Sequence, residues 1–178
     1  MLQSLLKKKL SEEQMANVFI NGLLEVIESS FPLLIEMINE DTAFVRSPNI
    51  LASKDAPFAL IVFAANLNLL ESTFEPQHAS AIEKSVIKKL AGWNNETSAD
   101  FGQRIRDYQS FINRVNRPSK NLVYGMSKSI FVKYELSQFQ DEYFRRLNAP
   151  SPLFLARLNE ITKLFVWDWD EFFKKYKL

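Results

Sequence analysis

Apolar residues recur every three to four positions along most of this chain, and that rhythm divides it into helices. Between Met15 and Phe31 two apolar rows run side by side: Met15, Phe19, Leu23 and Val26 form one, Ile20, Leu24, Ile27 and Phe31 the other. Asn17, Asn21, Glu25 and Glu28 fall opposite them, so the spacing predicts an amphipathic helix with a broad buried side. Ser11-Glu12-Glu13-Gln14 precedes it as a capping box, in which the hydroxyl accepts a first-turn N–H and Gln14 reaches back to the serine backbone. Pro32 lacks an N–H and is expected to kink or restart the helix, leaving Leu33–Asn39 as a short continuation.

Residues 41–55 have no clear period and read as a connecting loop. Asp55 is placed to cap a helix over Ala56–Phe74, whose first half, APFALIVFAA, is apolar on every side. Such a helix has no face to offer water, so it is the expected centre of the structure. Glu75-Pro76 opens another helix reaching Leu90, with Gly92 placed to end it. Thr97-Ser98-Ala99-Asp100 repeats the capping signature ahead of a stripe of Phe101, Ile105, Tyr108, Ile112 and Val115, which ends before Pro118. Ser119 is the expected cap of the next stretch. Its stripe begins Val123, Met126, Ile130, Tyr134 and then shifts to Val132, Leu136, Phe139, Tyr143, Leu147, as one bent helix or two joined ones would require. Ser151-Pro152 starts the last segment, serine at the cap and proline at the first helical position.

About six or seven helices with short connections and no convincing strand pair predict an all-α, single-domain bundle over 1–178. The length suffices for one sizeable core. Composition adds 15 Phe against only 4 Gly, which fits a large helical interior and leaves little material for phosphate-binding loops. There is no cysteine, so disulfides, thiolate chemistry and sulfur-ligated zinc are excluded. Met1–Leu10 carries lysines with no long apolar stretch behind them, and Ala56–Ala65 is about half the ~20 residues a bilayer span needs. The expectation is a cytoplasmic protein with no membrane span.

The chemistry-bearing residues are sparse. A single histidine, His78, stands three residues after Glu75, the spacing of bundle di-iron sites, but the second such motif is missing. No nucleophile elbow or glycine-rich loop is present, and adjacent carboxylates such as Asp141/Glu142 point apart on a helix. No enzyme, cofactor or metal is expected. Net charge is +1, with Arg104, Arg106, Arg114, Arg117, Lys120, Lys128 and Lys133 grouped between Phe101 and Lys133 and interleaved with Tyr108 and Tyr124. Arginine interleaved with aromatics is a recipe for nucleic-acid binding, but the mild overall charge weighs against it.

Two further groups of residues bear on function. Asn66 lies on the apolar helix beside Phe58, Phe63 and Leu67, where a buried amide must find hydrogen bonds from a neighbouring helix or from a ligand in an apolar pocket. The chain then closes on FVWDWDEFFKKYKL. If Asp168 caps a new helix, Trp167 staples onto Phe172, and Trp169, Phe172, Phe173 and Tyr176 form its apolar side. If the helix instead runs unbroken, Trp167 is stranded on the wet face as a partner contact. The capped alternative accounts for the aspartates as well, and makes Trp167, Trp169 and Phe173 core or dimer seam. The expected function is non-enzymatic: protein contacts, with self-association as a two-fold dimer. The alternatives are an apolar small-molecule or lipid carrier using the helix near 56–74, and nucleic-acid association through the basic face.

Overall fold

A computed structural model describes residues 7–117 and 119–178 of the chain. Helix accounts for 73% of it, in an all-α single-domain bundle of seven helices plus two shorter helical turns. In chain order these are strand β1 (Lys8–Lys9), α1 (Glu12–Glu40), α2 (Ala56–Leu67), the short α3 (Leu70–Thr73), α4 (Pro76–Trp93), α5 (Ser98–Asn116) and α6 (Leu122–Lys133). There follow the short α7 (Glu142–Leu147), α8 (Pro152–Thr162), α9 (Trp169–Lys175) and strand β2 (Tyr176–Lys177).

The capping box at Ser11 forms as its spacing requires: the hydroxyl accepts from Gln14 N, and Ser11 N donates to the Gln14 carboxamide at 3.0 Å. Helix α1 then runs through Pro32 without a break. Its inward row of Met15, Phe19, Ile20, Leu23, Ile27 and Phe31 continues into Leu34, Ile35 and Ile38, and that burial outweighs the one lost backbone bond. Asn17, Asn21, Glu25 and Glu28 are exposed, as the pattern demands.

Helix α2 is the centre of the bundle. It contacts α1, α5 and α6, and Phe58, Ile61, Val62, Phe63, Ala64, Ala65, Asn66 and Leu67 are all buried. It stops at Leu67, seven residues short of the expected end at Phe74, and resumes as α3 after Asn68 and Leu69. Asp55 makes no side-chain cap; Pro57, in the first turn, performs the start. Two helical stretches, Glu12–Glu40 and Ala56–Thr73, are long and apolar enough on average to cross a membrane, longer than the uninterrupted apolar run Ala56–Ala65 by itself. In the fold both press their apolar residues against other helices, and α1 keeps its polar row in solvent. The first six residues of the N-terminal stretch, expected to carry no apolar leader, lie outside the described residues.

Other boundaries moved for identifiable reasons. Helix α4 passes through Gly92, and Asn95 takes the left-handed position at φ 54°. Asn95 N bonds Gly92 O and Glu96 N bonds Ala91 O, the paired closure that a left-handed residue permits. Asn121, not Ser119, caps α6 by accepting from Tyr124 N at 3.2 Å. Ser151 caps nothing with its side chain, although Pro152 does start α8. The long stretch after α6 breaks at Glu135, φ 53°, which turns Leu136 into the core while Val132, Tyr143 and Leu147 are left exposed. The second apolar stripe is therefore split, with Leu136 and Phe139 turned to the core and Val132, Tyr143 and Leu147 turned outward. A strand pair also exists: Lys8–Lys9 run parallel to Tyr176–Lys177, with Leu10 N donating to Lys177 O at 2.8 Å. It ties the first described residues to the last ones and leaves the helical core untouched.

The end of α1 is latched to α8. The Asp41 carboxylate, its side chain 2% exposed, accepts two bonds from the Arg157 guanidinium at 2.6 and 2.7 Å and one from Ala43 N at 2.8 Å. Burial pushes this carboxyl toward the neutral form, but the guanidinium and the Ala43 N–H outweigh it and hold the group below its ordinary value of 3.8. A depressed acid contributes stability that is complete above its unfolded value and is lost as pH falls through the folded one. Asp41→Asn should therefore cost about 1.5–3 kcal/mol at pH 7, the scale of hydrogen bonds to a charged group. That gap should shrink once pH drops below ~4. Urea unfolding of both proteins at the two pH values checks it, and an equal gap at both would disprove the latch.

Candidate interaction groove

The C-terminal segment is built from one break and two clamps. At Val166 the chain leaves the helical turn following α8 and becomes extended, and Asp168 caps α9 by accepting from Glu171 N at 2.8 Å. Trp167, just outside the cap, packs on Phe172 with ring centroids 6.2 Å apart, which is the staple geometry the sequence called for. Asn66 holds both sides of the break. Its amide nitrogen donates to Phe165 O at 2.8 Å, and its carbonyl oxygen accepts from Trp167 N at 2.7 Å. The same nitrogen also donates to Val62 O on its own helix. The buried amide thus found its partners in the chain's own tail.

Opposite the break, α1 offers a notch. A Cβ at Gly22 would stand 2.4 and 2.5 Å from two ring carbons of Trp167, so only glycine lets the indole lie on the helix. Around it the aromatic rings interlock. Phe19 stacks on Trp169 at 5.5 Å with 8° between planes and meets Trp167 edge-on at 5.6 Å, while Phe74 stands perpendicular to Trp169 at 4.9 Å. Edge-on and offset-stacked pairs of this kind add to plain burial. Both indole N–H groups, on Trp167 and Trp169, are buried without a hydrogen-bonding partner among the described residues, a polar cost set against the aromatic packing.

Between α1 and this tail lies an open groove of about 380 Å³. Val18, Leu23, Val26, Leu164, Trp167 and Phe172 form its apolar walls, with Asp168, Glu171 and Lys175 at the tail side. Leu164 is 58% exposed at the rim. Lys174 pairs with Glu171 at 2.6 Å and holds that carboxyl below the usual range.

The residues singled out in the sequence land in different places. Trp169 is buried inside its own chain, so it is a core residue and not an accessible interface; Trp167 and Phe173 keep partial exposure. Phe58 and Phe63, expected beside a pocket, pack on Phe31, Phe165 and Phe19 at ring distances of 4.6–6.4 Å. Of the four proposed pocket residues Leu67 lines a cleft, a polar one of about 610 Å³ shared with Glu71, Glu83 and Gln109. The apolar-pocket expectation at Phe58, Phe63 and Asn66 is corrected accordingly: α2 fills space instead of enclosing it. The groove residues Val18 and Leu164 went unnoticed because a half-exposed apolar position has the same letter as a buried one.

The basic segment is occupied internally. Lys133 lies over the Tyr108 and Phe111 rings at 4.4 and 5.0 Å, Lys128 over Tyr124 at 5.4 Å, and Arg114 over Phe111 at 5.2 Å. Arg104 pairs with Glu96 and covers Phe101. The aromatic faces that bases would stack on are thus covered by the chain's own cations. His78 bonds Glu12 across α1 and α4 at 2.9 Å and does not pair with Glu75. A backbone bond, and then this imidazole, hold the Glu12 carboxyl below its ordinary value. Among the described residues no group of three or more acidic or histidine side chains could hold a metal ion. Compared with protein-family models, with curated proteins and with solved structures, the chain matches none.

Proposed function

We propose that this is a non-enzymatic helical protein that works through contacts with other proteins, and that the groove between α1 and the tail receives an amphipathic helical segment of the partner. The observation that carries this reading is the groove's construction. Its walls are apolar, its floor is α1 itself, and the Trp167 wall is fixed by Asn66 and the Gly22 notch. Val18 to Val26 spans about 12 Å of helix, enough for two or three side-chain anchors spaced a turn apart. A preformed wall also spares the partner the ordering cost that weakens flexible sites.

A leucine-striped helical peptide titrated into the full chain provides the test, with tryptophan fluorescence as the readout because Trp167 lines the groove. Saturable binding is expected, weakened at least about tenfold by Leu164→Glu, a rim change that leaves the melting temperature unaltered. Saturable binding of a twelve-carbon fatty acid in place of the peptide would move the assignment to a lipid carrier. Peptide binding indifferent to Leu164→Glu, or no binding of either probe, would overturn the groove.

A further inference from the structure

The short helix α7 stands out among the described helices because none of its six residues is buried. Tyr143 and Leu147, one turn apart, are 68% and 57% exposed apolar groups. It is nevertheless held firmly. The side chain of Gln140, fully buried just before it, donates to Ala149 O at 2.8 Å and accepts from Ser151 N at 2.7 Å. Asp141 caps its start by accepting from Phe144 N at 3.1 Å, and Asn148 ends it at φ 47°. A loop clamped at both ends thus presents a rigid, half-apolar helix to solvent, an expensive arrangement for a chain that could have placed polar residues there. Exposed Val132 shares a cleft with Asn148 at the end of α7, so apolar surface continues past the helix on that side.

The charges identify what covers it. Glu142, Tyr143, Arg146 and Leu147 line one shallow concavity, together with the cap residue Asp141, and therefore share a face. The acidic side chain is at the start of that face and the arginine at its end. Turned through a two-fold axis and laid antiparallel, this face complements itself: Tyr143 meets Leu147 of the other copy, and Arg146 reaches the other copy's Glu142. We infer that a second copy of this chain covers the α7 face, forming an isologous antiparallel dimer. In the free chain Glu142 and Arg146 already pair with each other, so dimerisation joins two pairs into a four-charge network. The helix is only about 9 Å long, and a standard interface covers ~800 Å² per partner, so the contact is a small, reversible one that draws on the neighbouring Val132. This seam lies on a different element from the groove and does not depend on it.

Sedimentation equilibrium of the full chain tests the inference, with circular dichroism confirming that each variant is folded. The wild type should form dimers at concentrations of tens of micromolar. Tyr143→Glu, Arg146→Glu and Glu142→Arg should each raise the dissociation constant by about tenfold or more, with melting unchanged because none of these residues is buried. Mixing Arg146→Glu with Glu142→Arg should restore the dimer, because an acidic face then meets one whose net charge is positive even with Asp141 beside it. Leu164→Glu should dimerise as the wild type does, which separates failure of the groove from failure of this seam. A wild type that stays monomeric, or a dimer insensitive to the single charge reversals, would overturn the inference.

Discussion

Phe58→Ala should cost about 3–5 kcal/mol of unfolding free energy, the range for emptying a large aromatic site in a tight core. The ring is fully buried, with Phe165 edge-on at 4.6 Å and Phe31 at 5.1 Å. It joins α1, α2 and the segment that follows α8, so three elements lose a common contact at once. Chemical denaturation of the variant against the wild type measures the loss. A cost within ~0.5 kcal/mol, as at surface positions, would mean that the ring borders open space after all and would revive the apolar pocket near α2.

Asn66→Leu keeps the volume and removes the polarity. It should cost about 2–4 kcal/mol, because Phe165 O and Trp167 N both lose their partner at a half-dry site, and each such orphan carries ~1–3 kcal/mol. The effect should also be local. Exchange of the Trp167 amide hydrogen should accelerate more than that of the α1 and α4 amides, since the tail is released before the bundle opens. Unchanged Trp167 exchange would show that aromatic packing alone holds the tail and would remove the fixed wall from the groove. Phe58→Ala should instead weaken all helices together, so the two variants distinguish a core defect from a tail defect.

Local rules did well wherever the chemistry was local. The capping boxes at Ser11 and Thr97, the proline start of α8 and the Asp168 cap all formed or nearly formed where the residues are, because a cap needs only groups within four residues of each other. The staple from Trp167 to Phe172 belongs to the same class. Errors arose where two local solutions were close in energy. Gly92 and Asn95 could each have ended α4, and the closure at Asn95 prevailed because it satisfies two carbonyls. Ser119 lost to Asn121 in the same way, since the asparagine reaches Tyr124 N and so sets the first turn of α6.

Partner assignments were beyond the sequence. Asn66 could be recognised as a buried amide needing bonds, but its partners are 99 and 101 positions away along the chain. The notch at Gly22 is equally invisible in one dimension: glycine in mid-helix reads as a weak point until an indole is found lying on it. Most consequential is the stretch after α6. Val132, Tyr143 and Leu147 repeat at helical spacing, and periodicity cannot distinguish a face turned to the core from one turned to solvent. The clamp of Gln140 on Ala149 and Ser151 decides that, and holds Tyr143 and Leu147 outward.

By itself the amino-acid order determined the helical class, the central place of the helix that starts at Ala56, the capping residues that favour a break at Asp168 and the absence of cysteine chemistry, because each follows from spacing or composition within a turn or two of helix. Tertiary structure decided which apolar residues are filler and which are offered outward. That distinction depends on what stands opposite a side chain in space, and the groove beside Trp167 and the bare face of α7 exist only once distant segments have been brought together.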